Sequence, residues 1–247
     1  MGLIVPGVVD VVFVIVLVVI ASLFEYYFFW PRFRAETAAG VEGARARAYR
    51  RGIIGQWTFA AVALAVWSWY HRSAAQWRLT LPGGWRLTLG ILFVALAIGL
   101  VAVQLRSVIR LSPDKRVAVR PKLANVEFLL PHTGDEYRWF LFLSVTAGIC
   151  EELLYRGYLA WFFATWVGDV WAMALVVAIF GIGHAYQGRK GATRATLAGA
   201  VMAAIVLATG SLIPAMIIHA MIDASGGTVG YWLFRSTPQT TPELIPT

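Results

Sequence analysis

Seven long apolar runs constrain the fold of this chain more than any other feature of its sequence. A helix needs about 20 apolar residues to cross a bilayer, and most of the runs approach or exceed that length. Hydrophobic side chains make up 59% of the 247 residues and charged ones only 14%, whereas soluble domains carry roughly 25% charged residues. The sequence therefore predicts an all-α, polytopic transmembrane helical bundle with about seven spans. The runs are 3–24, 53–70, 87–105, 140–166, 170–186, 196–208 and 212–234.

The rest of the composition excludes several other classes of protein. The apolar content is too high for a disordered chain, and the single cysteine, Cys150, cannot form a disulfide framework. The first run has no basic segment before it and no cleavage site after it, so we expect an uncleaved membrane anchor. A net charge of +8 is compatible with nucleic-acid binding, but the basic residues lie beside the apolar runs. We therefore expect membrane lipids, and no nucleic acid, as partners.

Basic residues orient the predicted bundle, because short loops rich in Lys and Arg stay in the cytoplasm. Alternate loops and the segment after the last run hold 17 of them, whereas the loop between the second and third runs holds three. This asymmetry predicts an N-terminus outside and a C-terminus in the cytoplasm, in the inner membrane of a bacterium. The 17 are Arg32, Arg34, Arg45, Arg47, Arg50, Arg51, Arg106, Arg110, Lys115, Arg116, Arg120, Lys122, Arg138, Arg189, Lys190, Arg194 and Arg235, and the three are Arg72, Arg78 and Arg86.

Ionisable residues within the late apolar runs are few and fall into three motifs. A charge at the bilayer centre costs about 2.5 to 3.5 kcal/mol on insertion scales, so such residues are candidates for function. The motifs are CEELLYR at 150–156 in the fourth run, FGIGH at 180–184 in the fifth and HAMID at 219–223 in the seventh. Three separate spans thus each contribute polar groups, and we expect these groups to meet inside the bundle.

Helical spacing divides the first motif between two faces. Residues four apart lie on the same face of a helix, so Glu152 and Arg156 can form an ion pair that neutralises both charges. We interpret this pair as structural. Glu151 lies on the adjacent face with Tyr155, which we expect to support the site, and Glu151 remains free for chemistry.

The other two motifs follow the same rule, since Phe180 and His184 are four apart, as are His219 and Asp223. Histidines and carboxylates that converge in an apolar bundle suit the activation of water, in which a carboxylate takes a proton and imidazoles stabilise an oxyanion. The same types of side chain bind zinc. The sequence lacks His-Glu-x-x-His, so the spacing alone does not require a metal.

Together the motifs resemble the CPBP family of intramembrane proteases, which includes the CAAX prenyl endopeptidases and bacterial relatives. The resemblance covers residues 140–234, and the first three runs carry no motif of the family. It implies a peptidase in which Glu151 and His184 activate water and His219 and Asp223 complete the site. It also implies a glutamate-type mechanism without a metal cofactor, with zinc held by those four residues as the alternative. The matching motifs are Glu-Glu-x-x-x-Arg at 151–156, Phe-x-x-x-His at 180–184 and His-x-x-x-Asp at 219–223.

One position departs from the CAAX enzymes, which carry Asn where this chain has Asp223, a variant common among the bacterial relatives. An ionised aspartate accepts hydrogen bonds but cannot donate one to an oxyanion. We therefore expect Asp223 to orient His219 or to bind a metal, unless burial keeps it protonated.

The sequence thus predicts an intramembrane endopeptidase that acts on a membrane-anchored or lipidated polypeptide. Two alternatives remain: a non-catalytic immunity or binding protein of the same fold, and a small proton-coupled transporter, for which intramembrane carboxylates and histidines are also typical. We divide the chain into N-terminal helices with basic loops (1–138), a catalytic helical core (139–235) and a disordered tail (236–247), whose prolines oppose a helix.

Overall fold

A computed structural model of the chain describes residues 5–235, which form eight helices and no strand. The predicted all-α class is therefore confirmed for this part of the chain, and the predicted tail 236–247 lies outside it. Each of the seven apolar runs overlaps one helix, and the eighth helix is short. The helices are α1 (Val8–Ala38), α2 (Ala44–Trp69), α3 (Trp85–Ile109), α4 (Pro113–Val119), α5 (134–167), α6 (Asp169–Gly183), α7 (Gly188–Thr209) and α8 (Ile213–Phe234).

Four helical segments are long and apolar enough to cross a membrane: Val8–Ala38, Ala44–Trp69, Trp85–Ile109 and Ala185–Thr209, the last being α7 with the short turn before it. α6 is apolar but shorter, and α5 carries the charged residues of the first motif in its middle. The chain is accordingly an integral membrane protein.

The helices extend beyond the apolar runs that predicted them. The basic segment 31–52 was expected to be a loop, but only residues 39–43 separate α1 from α2. Pairing on the helix surface supports the longer α1, because Arg32 donates to Glu36, four residues on, at 2.9 Å. Gly43, with φ +66°, begins the next helix in a left-handed conformation that suits glycine. Several basic residues assigned to a loop therefore lie on helix ends.

The helix that carries the first motif, α5, lies at the centre of the fold. It packs most extensively against α8 and then against α2, and its last turns contact α6. The Thr133 hydroxyl and the Glu136 side chain form a capping box that begins the helix. At Gly148 a Cβ atom would come within 2.7 Å of the backbone nitrogen of Ala220 in α8. The glycine thus allows α5 and α8 to approach closely just before the motif.

The middle of α5 is a π-helix over Glu152–Leu159, which begins inside the first motif. The chain stays helical through Gly157, with a wider turn. A π-helix disturbs the usual i to i−4 bonding, and the Trp77 indole N–H donates to the Leu153 carbonyl at 2.9 Å. Trp77 also occupies the space that a side chain at Gly157 would need. Trp77, in the loop between α2 and α3, thus packs against the π-helical turn and forms a hydrogen bond with its backbone.

A buried ion pair joins the first helix to the same loop. Arg72 donates from both terminal nitrogens to Asp10 at 2.7 and 2.6 Å, and the Tyr158 hydroxyl donates to the same carboxylate. Both charged side chains are fully buried. The sequence placed Arg72 among the three basic residues of the outer loop and did not predict a partner for it. The pair instead connects α1, the loop and α5.

Candidate active site

Helices α5 and α8 bring Glu151, His219 and Asp223 together inside the bundle. The Nε2 atom of His219 lies 3.8 Å from Oε2 of Glu151 and 3.7 Å from Oδ2 of Asp223. Both separations exceed a hydrogen bond, so the three groups are neighbours without being bonded to one another. A water molecule or a substrate oxygen placed beside these atoms could contact more than one of them.

Glu152 holds the histidine of α8 as well as the arginine of its own helix. Its Oε1 atom accepts from Nη1 of Arg156 at 2.9 Å and lies 2.8 Å from Nδ1 of His219. Because a carboxylate can only accept, Nδ1 of His219 carries the proton in that bond. The spacing had predicted the pair with Arg156, but it did not reveal the bond to His219. Asp223 was expected to orient His219 or to bind a metal, and in the structure it is Glu152 that accepts the orienting hydrogen bond of His219.

His184 lies at the C-terminal end of α6, where the helix stops. Its Nδ1 atom is 2.8 Å from the Phe180 carbonyl, which can only accept, so Nδ1 donates, and when the ring is neutral Nε2 is the acceptor. The Phe180 ring lies near both histidines, with its centroid 4.3 Å from that of His184 and 6.2 Å from that of His219. No hydrogen bond joins His184 to Glu151 within residues 5–235.

Aromatic rings and glycines pack the second motif against the first. The Tyr155 ring meets Phe180 edge to face at 5.2 Å, and the Arg156 guanidinium lies 4.3 Å from the centre of the same Phe180 ring. On α7, a Cβ atom at Gly199 would come within 2.7 Å of Nη2 of Arg156. Glycine at this position therefore leaves room for the buried guanidinium.

The side chains of the site differ in how far they are buried. The side chains of Glu152 and Arg156 are fully buried, whereas Asp223 is 39% exposed and Glu151 is 18% exposed. The ion pair between Glu152 and Arg156 is therefore the most deeply buried part of the site. Glu151, His219 and Asp223 are the groups that a substrate in the bundle can reach.

A polar residue of the N-terminal helices also faces this site, although the sequence motifs did not include it. The Gln56 side chain of α2 donates from Nε2 to Oε1 of Glu151 at 2.9 Å. Gln56 and Glu151 are 95 residues apart, so no local spacing could have linked them.

The donor atoms are not arranged as a metal site. Within residues 5–235, no group of three or more His, Cys, Asp or Glu side chains is placed to hold a metal ion. Nδ1 of His184 and Nδ1 of His219 are both engaged in hydrogen bonds, so only their Nε2 atoms could ligate zinc, at about 2.0 to 2.1 Å. The mechanism proposed for these four residues uses no metal.

The fold and this cluster define a class of protein, a membrane protein with acid–base residues brought together inside its helical bundle. Residues 134–225 match the family described as Type II CAAX prenyl endopeptidase Rce1-like. This similarity to a family of membrane proteases confirms the resemblance predicted from the three motifs and supports a hydrolase. No curated protein and no solved structure matches the chain.

Proposed function

We propose that this chain is an intramembrane endopeptidase in which Glu151 activates the attacking water. Gln56 engages Oε1 of Glu151, so Oε2 is the oxygen available to take a proton from water. A positioned carboxylate of this kind acts as a general base. His184 shares the water through Nε2, because its Nδ1 atom is bonded to the Phe180 carbonyl.

His219 stabilises the oxyanion that forms when the water oxygen bonds to the peptide carbonyl carbon. Its Nδ1 atom is held by Glu152, and Nε2 points towards Glu151 and Asp223. Because Nδ1 already donates to Glu152, Nε2 can donate to the oxyanion only when the ring is doubly protonated, and the carboxylates of Glu151, Glu152 and Asp223 around the ring stabilise that charge. A donor fixed in advance where negative charge develops lowers the barrier without reorganising during the reaction. Asp223, the most exposed of these groups, lies beside Nε2 and completes the site.

The reaction ends when the carbon–nitrogen bond breaks and the proton taken by Glu151 passes to the leaving amine. One water molecule and one peptide bond thus give a carboxylate and an amine. The observation that carries the proposal is the placement of Glu151 and His219 from two helices with Nε2 and Oε2 3.8 Å apart. The family match over the same residues adds the substrate class, a membrane-anchored or prenylated polypeptide.

The test uses purified protein in liposomes with three quenched fluorescent peptides: a farnesylated peptide ending in a CAAX sequence, the same peptide without farnesyl, and a single-span transmembrane peptide. We expect cleavage of a membrane-bound peptide, and we expect it to survive exhaustive treatment with a zinc chelator. Activity that is lost on chelation and restored by zinc would replace the metal-free mechanism. A folded protein that cuts none of the three would contradict the proposal.

We further propose that seven helices, all except α4, cross the inner membrane of a bacterium, with the N-terminus outside. The catalytic core is then 139–235, and the helices and basic loops of 1–138 surround it. A reporter inserted between Gly83 and Gly84 is expected outside and one fused after Thr247 in the cytoplasm, because 17 basic residues lie on one side and three on the other. Protease protection and reporter activity measure this, and the reverse pattern would contradict the orientation.

A further inference from the structure

The Gln56 side chain makes a hydrogen bond to the carboxylate that the proposed mechanism uses as its base. A carboxylate oxygen can only accept, so the amide nitrogen of Gln56 must face Glu151, and the 2.9 Å separation is that of a good hydrogen bond. The bond engages Oε1 and leaves Oε2 directed at His219. One amide therefore selects which oxygen of Glu151 is free.

The position of this amide is fixed by the packing of α2 against α5. Trp57 donates from its indole nitrogen to the Thr146 hydroxyl at 3.2 Å, and Ala60, one turn further along α2, is fully buried. These contacts lie next to Gln56 and hold it opposite Glu151. A side chain placed by such packing can restrain the rotamer of its partner, since groups held by fixed hydrogen bonds keep a productive geometry.

The other end of the same amide has a different environment. Oε1 of Gln56 is buried and has no hydrogen-bond partner within residues 5–235. Buried polar atoms in proteins are usually paired with protein or water. A glutamine that only joined two helices would be expected to use both ends, and here only the end facing Glu151 is bonded to protein.

We propose that Gln56 is a positioning residue, which holds Glu151 so that Oε2 faces the attacking water. The inference rests on the proposed function and extends it to a residue outside the family segment 134–225. α2 would then be part of the catalytic machinery, in addition to its contribution to the membrane bundle. A general base misplaced by about 1 Å can lose 100-fold in rate, so the contribution of Gln56 should be measurable.

Two substitutions of similar size test this role. Gln56→Met removes the amide, and Gln56→Glu keeps its shape but puts a carboxyl group in place of the donor. We expect kcat on the cleaved peptide to fall about 10- to 100-fold in both variants with KM unchanged. Gln104→Met is the matched control, because Gln104 is an exposed glutamine on α3, and it should retain wild-type kcat.

The outcomes separate the inference from the proposed function. Wild-type kcat in both Gln56 variants, with Glu151→Gln inactive, would overturn the role of Gln56 and leave the protease proposal standing. A Gln56 variant that lowers melting temperature and folded yield but keeps kcat per folded molecule would show a structural role only, and would also overturn it. Activity in Glu151→Gln would overturn both.

An infrared measurement reads the hydrogen bond without substrate. The spectrum of the wild type minus that of Glu151→Gln isolates the Glu151 carboxyl band. We expect this band to shift when the same difference is taken in the Gln56→Met background, because the carboxyl group loses its donor. An unchanged band would show that the bond does not form, and would contradict the inference whatever the enzyme cleaves.

Discussion

Glu151→Gln is expected to lower cleavage about 10²- to 10⁴-fold, the usual contribution of a general base, while the protein stays folded. The amide at position 151 keeps an oxygen that can accept from Gln56, so the contact between α2 and α5 survives. What it loses is the capacity to take a proton from water. Melting temperature and the cleavage rate in liposomes, measured on the same preparation, check both halves of this expectation.

Glu36→Gln is the matched control for this substitution. Glu36 lies near the end of α1 and pairs with Arg32 and Arg47, neither of which belongs to the three motifs. It should cleave at the wild-type rate. Normal cleavage by Glu151→Gln would show that the general base has been assigned to the wrong residue.

Glu152→Gln is expected to lower stability as well as cleavage. Removing one partner of a buried ion pair leaves the other charge uncompensated, which typically costs about 3 to 5 kcal/mol. The side chains of Glu152 and Arg156 are both fully buried, so solvent cannot compensate for the loss. Cleavage should fall too, because His219 loses the carboxylate that accepts from Nδ1. Thermal unfolding in detergent gives the first effect and the liposome assay the second.

A comparison with an exposed pair and with a double substitution sharpens this test. Glu36 and Arg32 have the same four-residue spacing but lie at the surface, where ion pairs contribute little to stability. Glu36→Gln should therefore melt near the wild type. Replacing Glu152 by Leu and Arg156 by Met together should recover much of the stability without restoring cleavage. If Glu152→Gln alone were as stable as the wild type, the buried charge of Arg156 would not need Glu152 to compensate it, and the prediction would be wrong.

Local spacing predicted those parts of the site that lie within one helix. The four-residue rule placed Glu152 beside Arg156 and His219 beside Asp223, because the geometry of a helix is the same wherever it occurs. Each apolar run likewise predicted one helix, since a bilayer requires long apolar segments, but only four helical segments within residues 5–235 are long and apolar enough to cross a membrane. The predicted helix ends were wrong where α1 and α2 continue into the basic segment.

Contacts between distant helices could not be predicted from the sequence. Gln56 and Glu151 are 95 residues apart, and Asp10 and Arg72 are 62 apart. Which faces meet depends on how the helices pack, and a single sequence does not contain that information locally. The bond from Glu152 to His219 was missed for the same reason. The sequence did offer one signal: a polar residue such as Asp10 or Gln56 within an apolar run needs a hydrogen-bond partner. That signal predicts a contact with another helix, but it does not identify the partner.

Comparing the ends of membrane polypeptides in cells tests the central claim most directly, because the substrate need not be identified beforehand. Host cells expressing the wild type, Glu151→Gln or Glu36→Gln at equal levels are analysed by mass spectrometry of protein termini. The account predicts new termini within or beside membrane-anchored segments in the wild type and in Glu36→Gln, and their absence in Glu151→Gln. Identical sets of termini in all three strains would contradict an intramembrane endopeptidase based on Glu151.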